Sequence, residues 1–409
     1  MTDLLLQANS CSLGAMKIIT TTGDLETLCR NLGNDTYITV DTEFMRERTY
    51  WAQLCLIQIA GAKEEAIIDP QSEGLDLSAF FDLMANEKII KVFHAARQDV
   101  EIIHHMSGKI PKPLFDTQIA AMVCGFGDQI GYEALARNVV NATIDKSSRF
   151  TDWSRRPLSD KQLHYALSDV THLRGIYDKL QAQLDASERE PWLAEEMSVL
   201  TSAETYQSDP VKAWERVKFR PRKKIQQAIL MEVAGWRESE AQKRDVPRNR
   251  IIKDDAIGEL AMQAPKDQNA LSRLRSIPKG YANSRHGEAI LTAVKRGLER
   301  DLDGVPEIAD RARRLPEGTG EIAEILKLAL KITAEQKGIA ARIIANAADI
   351  EAIAAGNNPS VKALGGWRRE VFGDTALKLK TGKLAIGLRN GKAAIFAVAD
   401  DSADLKAAE

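Results

Sequence analysis

The sequence predicts an α/β domain followed by two helical domains, and three observations lead to this prediction. Short apolar runs typical of strands lie in the first half of the 409-residue chain, where they alternate with helical patterns. Strand patterns almost vanish after about residue 187, and two helical blocks follow. A chain of this length is also too long for one typical core and suggests two to four domains.

The first half is predicted to begin with three strands and to continue with alternating helices and strands. Three strand-like runs joined by short polar turns predict an antiparallel meander at 37–40, 53–60 and 66–69. The patterns that follow predict a helix at 77–86, a strand at 89–93, a helix start at 95–99, a strand at 114–117 and a helix at 118–124.

The second half reads as helices separated by turn residues, with one hairpin at the end. An Asn-Gly pair at 390–391 between the apolar runs 384–388 and 393–398 predicts that hairpin. The domain boundaries that we expect are an N-terminal extension at 1–16, an α/β domain at 17–205, helical domains at 212–300 and 304–390, and a tail at 391–409.

Composition narrows the class of protein. No apolar run approaches the length of a membrane span, and residues 1–16 lack the basic start of a secretory signal. Either Met1 or Met16 could be the true start. The four cysteines have no metal-binding spacing, which favours reduced thiols in a cytoplasmic protein.

Charge is unevenly distributed along the chain. The net charge is −2, yet residues 212–300 carry 21 Lys and Arg against 11 Asp and Glu, and the remaining residues carry 35 against 47. A basic block beside an acidic one suits an enzyme with a carboxylate metal site and a separate part that holds a polyanion. A basic surface that serves only solubility is the alternative.

Two acids at the end of the first strand are the first candidate for chemistry. Asp41 and Glu43 are two residues apart, so a strand projects both from one face. Carboxylates held together repel unless a cation lies between them, and Mg²⁺ prefers oxygen ligands. Taken alone, such a pair is more often a solvated strand edge.

Three further residues belong to the same argument. Asp99 follows the strand at 89–93, and Tyr165 and Asp169 share one helical face because they are four residues apart. Each has an ordinary explanation: a helix-start acid, a half-buried aromatic and an exposed helical charge. Together, the four acids and the tyrosine form a known pattern.

That pattern resembles the DEDDy group of 3′→5′ exonucleases and, more narrowly, the ribonuclease D family. The three exonuclease motifs of that family are similar to the segments at 40–58, 94–99 and 145–169. The segments at 244–250, 264–265 and 285–287 resemble an HRDC (helicase and RNase D C-terminal) domain, and the block around 366–370 resembles a second, more divergent copy. The resemblance implies a ribonuclease H-like mixed sheet followed by two all-α HRDC-like domains.

The resemblance also implies roles for the five residues. Asp41, Glu43 and Asp169 would hold one divalent ion, Mg²⁺ or Mn²⁺, and Asp41 would share a second ion that Asp99 supports. Tyr165 would orient the attacking water. A free phenol has a pKa near 10, so we expect Tyr165 to set geometry more than to remove a proton.

Substrate contacts are predicted with alternatives. In the first domain the candidates are His94, Lys146, Arg155 and Arg156, each with a structural or solvated alternative. In the helical domain they are Lys223, Lys224, Arg248 and Arg250. Trp153 is expected in the core, and Asp116 is expected to cap a helix rather than to join the site.

The leading functional hypothesis is an exoribonuclease that releases 5′-mononucleotides from RNA 3′ ends, with tRNA precursors and other small structured RNAs as substrates. We expect a monomer with no membrane partner. A 3′→5′ DNA exonuclease and a non-catalytic RNA-binding protein on a nuclease scaffold are the alternatives. A helicase is excluded because the sequence has no GxxxxGK[ST] phosphate loop.

Overall fold

The computed structural model describes residues 16–148, 151–278, 280–308, 316–356 and 359–398, which form two compact units. The first unit contains residues 16–45, 54–121 and 129–201, and the second contains 46–53, 122–128 and 202–398. The segments 46–53 and 122–128 therefore differ from the expected division. Tyr50 explains the first of them, because it packs in an apolar cluster with Ala241 and Ile251.

A mixed six-stranded sheet forms the centre of the first unit. Its strands in chain order are β1 (Ile18–Ile19), β2 (Tyr37–Met45), β3 (Gln53–Ala60), β4 (Glu65–Ile68), β5 (Ile90–Phe93) and β6 (Leu114–Asp116). In space the order is β1-β4-β3-β2-β5-β6. β3 pairs with β4 antiparallel, whereas β2 with β5 and β5 with β6 are parallel.

Strand β2 extends beyond the apolar run at 37–40 that marked it in the sequence. It continues to Met45, and Asp41 and Glu43 lie within it, as their spacing predicted. Residues 38–40 are all buried, and beyond them Thr42 is buried between the less buried Asp41 and Glu43, which is the alternation of a strand. The apolar run ends where the acids begin, while the strand itself continues past them.

Seven helices accompany the sheet in the described residues up to 201, and three of them match the helices predicted at 77–86, from 95–99 and at 118–124 to within a few residues. The seven helices are α1 (Thr22–Leu32), α2 (Ser78–Ala85), α3 (Arg97–Ser107), α4 (Thr117–Val123), α5 (Tyr132–Val140), α6 (Asp160–Ser187) and α7 (Glu190–Leu200). The long helix α6 begins with a capping box, in which Ser159 accepts from the Gln162 N–H and the Gln162 side chain accepts from the Ser159 N–H.

The second unit is helical apart from a short β-segment at its end. Its helices are α8 (Lys224–Arg244), α9 (Arg248–Ile251), α10 (Asp254–Gln263), α11 (Gln268–Ser272), α12 (Arg285–Glu299), α13 (Thr319–Lys337), α14 (Ala341–Ile344), α15 (Ala347–Ala355), α16 (Gly366–Arg368) and α17 (Asp374–Lys380). Helices α8, α10 and α12 enclose one apolar core that includes Val233, Ile257 and Ile290.

The predicted hairpin is confirmed. Strands β7 (Leu384–Arg389) and β8 (Lys392–Ala397) pair antiparallel. Asn390 and Gly391 have φ of 54° and 75°, the positive values that a type I′ turn requires at both positions. The boundary expected at residue 390 falls inside this hairpin, so β8 does not belong to a separate tail.

Two further features of the described residues bear on the class of protein. Cys29, Cys55 and Cys124 are buried free thiols. Among the helices of these ranges, none combines the length and the apolar character needed to cross a bilayer.

Candidate active site

Strand β2 and helix α6 bring the candidate residues to one cavity of about 490 Å³. Asp41 and Glu43 enter it from the strand, and Tyr165 and Asp169 enter it from successive turns of the helix. The two-residue spacing in the strand and the four-residue spacing in the helix thus place each pair of side chains on one face of its element, as the sequence predicted.

Asp41, Glu43 and Asp169 form a carboxylate cluster. Each offers an oxygen, and these atoms all lie within 4.8 Å of one another. Burial and the neighbouring charge of Asp169 raise the pKa of Asp41 well above its usual range. Burial and Asp41 raise the pKa of Glu43 to about 9, and burial raises that of Asp169 to about 7. Three carboxylates this close favour a bound cation, because it relieves their repulsion.

Asp99 lies behind this cluster. It is only 6% exposed, and the Thr42 hydroxyl donates a hydrogen bond to its carboxylate. Burial and then the charge of Asp41 raise the pKa of Asp99. The structure thus brings three of the four acids together. The fourth, Asp99, is held by Thr42, the residue between Asp41 and Glu43 in the sequence.

Asp116 fixes the turn that precedes helix α3. Its carboxylate accepts from the N–H groups of Ala95 at 3.0 Å and Ala96 at 2.9 Å, and from the Gln118 N–H at 2.8 Å. Ala95 has φ of 59°, a conformation that non-glycine residues rarely adopt without such support. The cap expected for Asp116 is confirmed, and the same carboxylate also holds the turn after His94.

His94 lines the cavity with a fixed ring. Its Nδ1 lies 3.0 Å from the Thr117 hydroxyl oxygen, and that hydroxyl donates its proton to the Phe93 carbonyl at 3.0 Å. In this arrangement Nδ1 carries the proton of the contact with Thr117, and Nε2 is the acceptor nitrogen of the neutral ring. Nε2 is buried without a hydrogen-bond partner among the described residues. Burial lowers the pKa of His94 to about 4, with the Ile130 backbone opposing part of this shift, so the ring is neutral at pH 7.

Tyr165 stands beside Trp153. Their rings are stacked with centroids 6.2 Å apart, and Trp153 is 2% exposed within a cluster that includes Cys55 and Ile67. The core position expected for Trp153 is confirmed. The indole supports one side of the Tyr165 ring while that tyrosine lines the cavity.

The two arginines after Trp153 differ in their contacts. The Arg155 side chain is 83% exposed and pairs with Asp152 at 3.2 Å. Arg156 forms a bidentate pair with Asp69 at 2.7 Å and donates to the Cys55 carbonyl at 2.8 Å. Lys146 begins a short 3₁₀ turn, and its side chain lies outside the described part of the chain.

Arg248, predicted to bind phosphate, lies in an ion-pair network of the second unit. Its guanidinium contacts both oxygens of Glu238, one of them at 2.6 Å, and donates to the Tyr50 hydroxyl at 2.7 Å. Glu238 is 1% exposed, so the network is buried on its acidic side. Arg250 is exposed, and Lys224 pairs with Glu307 at 2.6 Å.

Tyr132 is a site residue that sequence reasoning missed. It lines the same cavity, its ring centroid is 5.5 Å from that of His94, and its hydroxyl donates to the Ser168 carbonyl at 3.0 Å. That bond ties the start of α5 to the turn of α6 that carries Asp169. Thr42 was also missed as the partner of Asp99. No local pattern identifies either contact, because the partners are 36 and 57 residues away.

Comparison with known families defines the class. Residues 16–185 match the model of a family described as 3′-5′ exonuclease, and residues 226–294 match the HRDC domain. Together with the acidic cavity, these matches define a 3′-5′ exonuclease with a helical HRDC region, and the acidic cluster fits the divalent metal that exonucleases of this class use.

Individual relatives narrow the class further. The chain is 50% identical over 377 residues to ribonuclease D of Nitrobacter hamburgensis, covering 92% of this chain and 98% of the relative. It is 47% identical over 378 residues to ribonuclease D of Bartonella henselae, covering 92% and 93%. The chain therefore belongs to the ribonuclease D family.

A solved structure agrees with that family. Escherichia coli RNase D, described as an exoribonuclease involved in structured RNA processing, superposes with a TM-score of 0.78 at 27% identity. The match covers 90% of this chain and 99% of that one. The mixed α/β fold with a C-terminal helical region is thus the fold of a characterised exoribonuclease.

Proposed function

We propose that this protein hydrolyses RNA from the 3′ end and releases 5′-mononucleotides, using two divalent ions. The observation that carries the proposal is the cluster of Asp41, Glu43 and Asp169, whose oxygens lie within 4.8 Å of one another in a cavity open to substrate. Family membership supplies the reaction class, and the cluster supplies oxygen ligands suited to Mg²⁺ or Mn²⁺.

Each acid has a proposed place. Asp41, Glu43 and Asp169 would hold one ion, and Asp41 would share a second ion toward Asp99. Such a pair lowers the pKa of a bound water and neutralises charge at the leaving oxygen. Thr42 would fix the orientation of the Asp99 side chain, since its hydroxyl donates to the Asp99 carboxylate.

Tyr165 would orient the attacking water. Its position on the helical face of Asp169 supports this role, and the stacked Trp153 restricts its ring. The phenol would hold the water oxygen in line with the phosphorus through a hydrogen bond. Tyr132 would act as a positioning residue, because its bond to the Ser168 carbonyl holds the helix turn that presents Asp169.

His94 would contact the ribose of the terminal nucleotide. A neutral imidazole with a free lone pair on Nε2 accepts a hydrogen bond but cannot donate one to a phosphate oxygen from that atom. The proposed donor is the 2′-hydroxyl of the terminal nucleotide. Because a DNA end lacks this hydroxyl, the contact would favour RNA.

The other residues predicted to contact substrate fall into two groups, those still proposed as phosphate contacts and those inferred to act within the protein. Arg155 and Arg250 are exposed and stay proposed phosphate contacts, as does Lys146. For Arg156 and Arg248 we infer an intramolecular role, because their guanidinium groups are held by Asp69 and Glu238.

The physiological substrates would be tRNA precursors and other small structured RNAs with single-stranded 3′ tails. The description of the Escherichia coli relative as acting in structured RNA processing supports this choice. The helices at 319–380 would form a second, divergent HRDC-like domain. We also infer a monomeric cytoplasmic enzyme, which is consistent with the free thiols of Cys29, Cys55 and Cys124.

The decisive experiment compares a 3′-extended structured RNA with its DNA equivalent, each with and without a chelator. We expect single mononucleotides to leave the RNA end in Mg²⁺ or Mn²⁺ and no reaction in the chelator. Preference for DNA would instead support the alternative of a DNA exonuclease. Binding without turnover in any divalent ion would support the non-catalytic alternative, and chelator-resistant or internal cleavage would exclude the proposed mechanism.

A further inference from the structure

A row of exposed cations leads into helix α8. Residues 217–221 have no helical or strand pairing, and their burial alternates: Val217 is buried and Phe219 is half-buried, whereas Lys218 and Arg220 are exposed. Arg222 and Lys223 continue the exposed row to the start of α8. We call Lys218, Arg220, Arg222 and Lys223 the basic strip.

The apolar residues of this segment fix its course. Val217 lies in the core of α8, α10 and α12, and Phe219 packs against the same core. The Phe219 ring approaches Gly258 so closely that a Cβ there would lie 2.9 Å from it. With every second side chain held inward, Lys218, Arg220 and Arg222 must point to the other side. In an extended segment, such side chains follow one another at about 6.5 Å.

No carboxylate of the described residues neutralises the basic strip. Within the described ranges, none of its four residues has a carboxylate within 4 Å, and Arg220 donates only to the backbone carbonyls of Val217 and Phe219. The neighbouring cations differ, because Arg216 pairs with Glu238 at 3.6 Å and Lys224 pairs with Glu307.

Folding alone does not favour these charges. Arg222 and Lys223 precede the first turn of α8, which contains no acid, and the positive end of a helix dipole disfavours cations there. The Gln226 side chain accepts from the N–H groups of both residues, so the helix start needs neither of their side chains. A partner that brings negative charge would reverse this penalty.

We propose that the basic strip binds the sugar-phosphate backbone of the RNA substrate, independently of sequence. Cations on alternate residues of an extended segment, continued by the adjacent pair Arg222 and Lys223, suit a linear polyanion, and neutralised phosphates release counterions. The inference rests on the proposed function for the choice of RNA. The strip lies between the regions that match the exonuclease and HRDC families, 16–185 and 226–294, so neither match assigns it a role.

The test uses the full chain with Lys218→Gln, Arg220→Gln and Arg222→Gln combined. The control combines Arg30→Gln, Lys63→Gln and Lys88→Gln, which removes the same charge from exposed positions of the first unit. Binding of a fluorescent structured RNA with a 3′ tail is measured by anisotropy in a chelator, over a range of salt concentrations. Turnover is measured separately on a trinucleotide, so that a loss of catalysis is distinguished from a loss of RNA binding.

We expect RNA binding by the strip variant to be weaker by about 10-fold or more at low salt. The slope of log K against log salt concentration should be shallower by roughly 2, because each lost phosphate contact contributes about 0.7–0.9. The control and the trinucleotide kcat should stay near wild type. An unchanged Kd and slope, or equal losses in the control, would overturn the proposal. Binding of polyglutamate of matched charge is measured on both proteins as well. Loss of polyglutamate binding in the strip variant with RNA binding unchanged would identify an acidic protein as the partner and overturn the proposal. Because binding is measured without turnover, an inactive wild-type protein would refute the proposed function without deciding this inference.

Discussion

Replacing Asp169 with asparagine should stabilise the metal-free protein and remove its response to metal. Oxygens within 4.8 Å place Asp169 near two other carboxylates. At an effective dielectric constant of 20, one such pair repels by about 3.5 kcal/mol. Protonation of the cluster relieves much of this repulsion, so we expect a net gain of about 2 kcal/mol at pH 8.

The sign follows from the raised pKa values. The pKa of Glu43 is about 9 and that of Asp169 about 7 in the folded protein, both above the ordinary values near 4. The folded state therefore binds more protons than the unfolded state between about pH 4 and pH 9, and metal-free stability falls as pH rises through this window. Asp169→Asn removes one contributor to that fall.

The assay is thermal unfolding from pH 5 to pH 9, in a chelator and in Mg²⁺. In the chelator at pH 8, the Asp169→Asn transition should lie about 4–8 °C above wild type, at about 2–4 °C per kcal/mol. Mg²⁺ at 100 times its Kd should stabilise wild type by about 2.7 kcal/mol and the variant far less. Glu26→Gln, an exposed acid on α1, is the control. A variant that melts below wild type in the chelator, or that retains the full Mg²⁺ shift, would refute the reasoning.

Four further outcomes are expected. Tyr165→Phe should keep the Mg²⁺-dependent rise in Tm and lose most turnover, and full activity would contradict a role in orienting water. His94→Ala should lower kcat/KM for an RNA end by about 10-fold or more and change a DNA end little, since an unmade hydrogen bond costs about 1–3 kcal/mol; equal losses on both would exclude recognition of the ribose. Glu238→Gln should remove a part of the stability that wild type has above about pH 5 and loses as pH falls through the folded pKa of Glu238. Burial raises that pKa, but the hydrogen bonds from Arg248 and Tyr50 bring it below its usual value. Identical pH–stability curves for the two proteins would contradict this. Gly297→Ala should destabilise the second unit by about 1–3 kcal/mol, because the new Cβ would lie 2.5 Å from the Ile229 Cα, whereas Gly320→Ala, with open space around it, should not.

Local patterns explain which parts of the fold were predictable. The Asn390–Gly391 turn requires positive φ at two positions, and few other residue pairs supply it, so the hairpin could be read directly. The apolar run at 37–40 marked only the first part of β2, because Asp41 and Glu43 are polar although the strand continues through them to Met45.

The same distinction applies to substrate contacts. The residue types at Arg156 and Arg248 suit phosphate, and nothing near them in sequence indicates a partner. Asp69 and Glu238 occupy their guanidinium groups in the folded chain, and Asp69 is 87 residues from Arg156. A basic residue is available for a ligand only if folding leaves it without an acid, and sequence does not report that condition.

The sequence by itself determined the reacting groups: two acids spaced for one strand face, and a tyrosine and an acid spaced for one helix face. Those relations are set by the repeat of the backbone, and so they survive in any fold that forms the strand and the helix. Only the tertiary structure decided that Thr42 holds Asp99, that Tyr132 ties α5 to α6, and that the segment at 46–53 joins the second unit. Each of these depends on side chains distant along the chain, whose pairing is chosen by the packing of the whole unit.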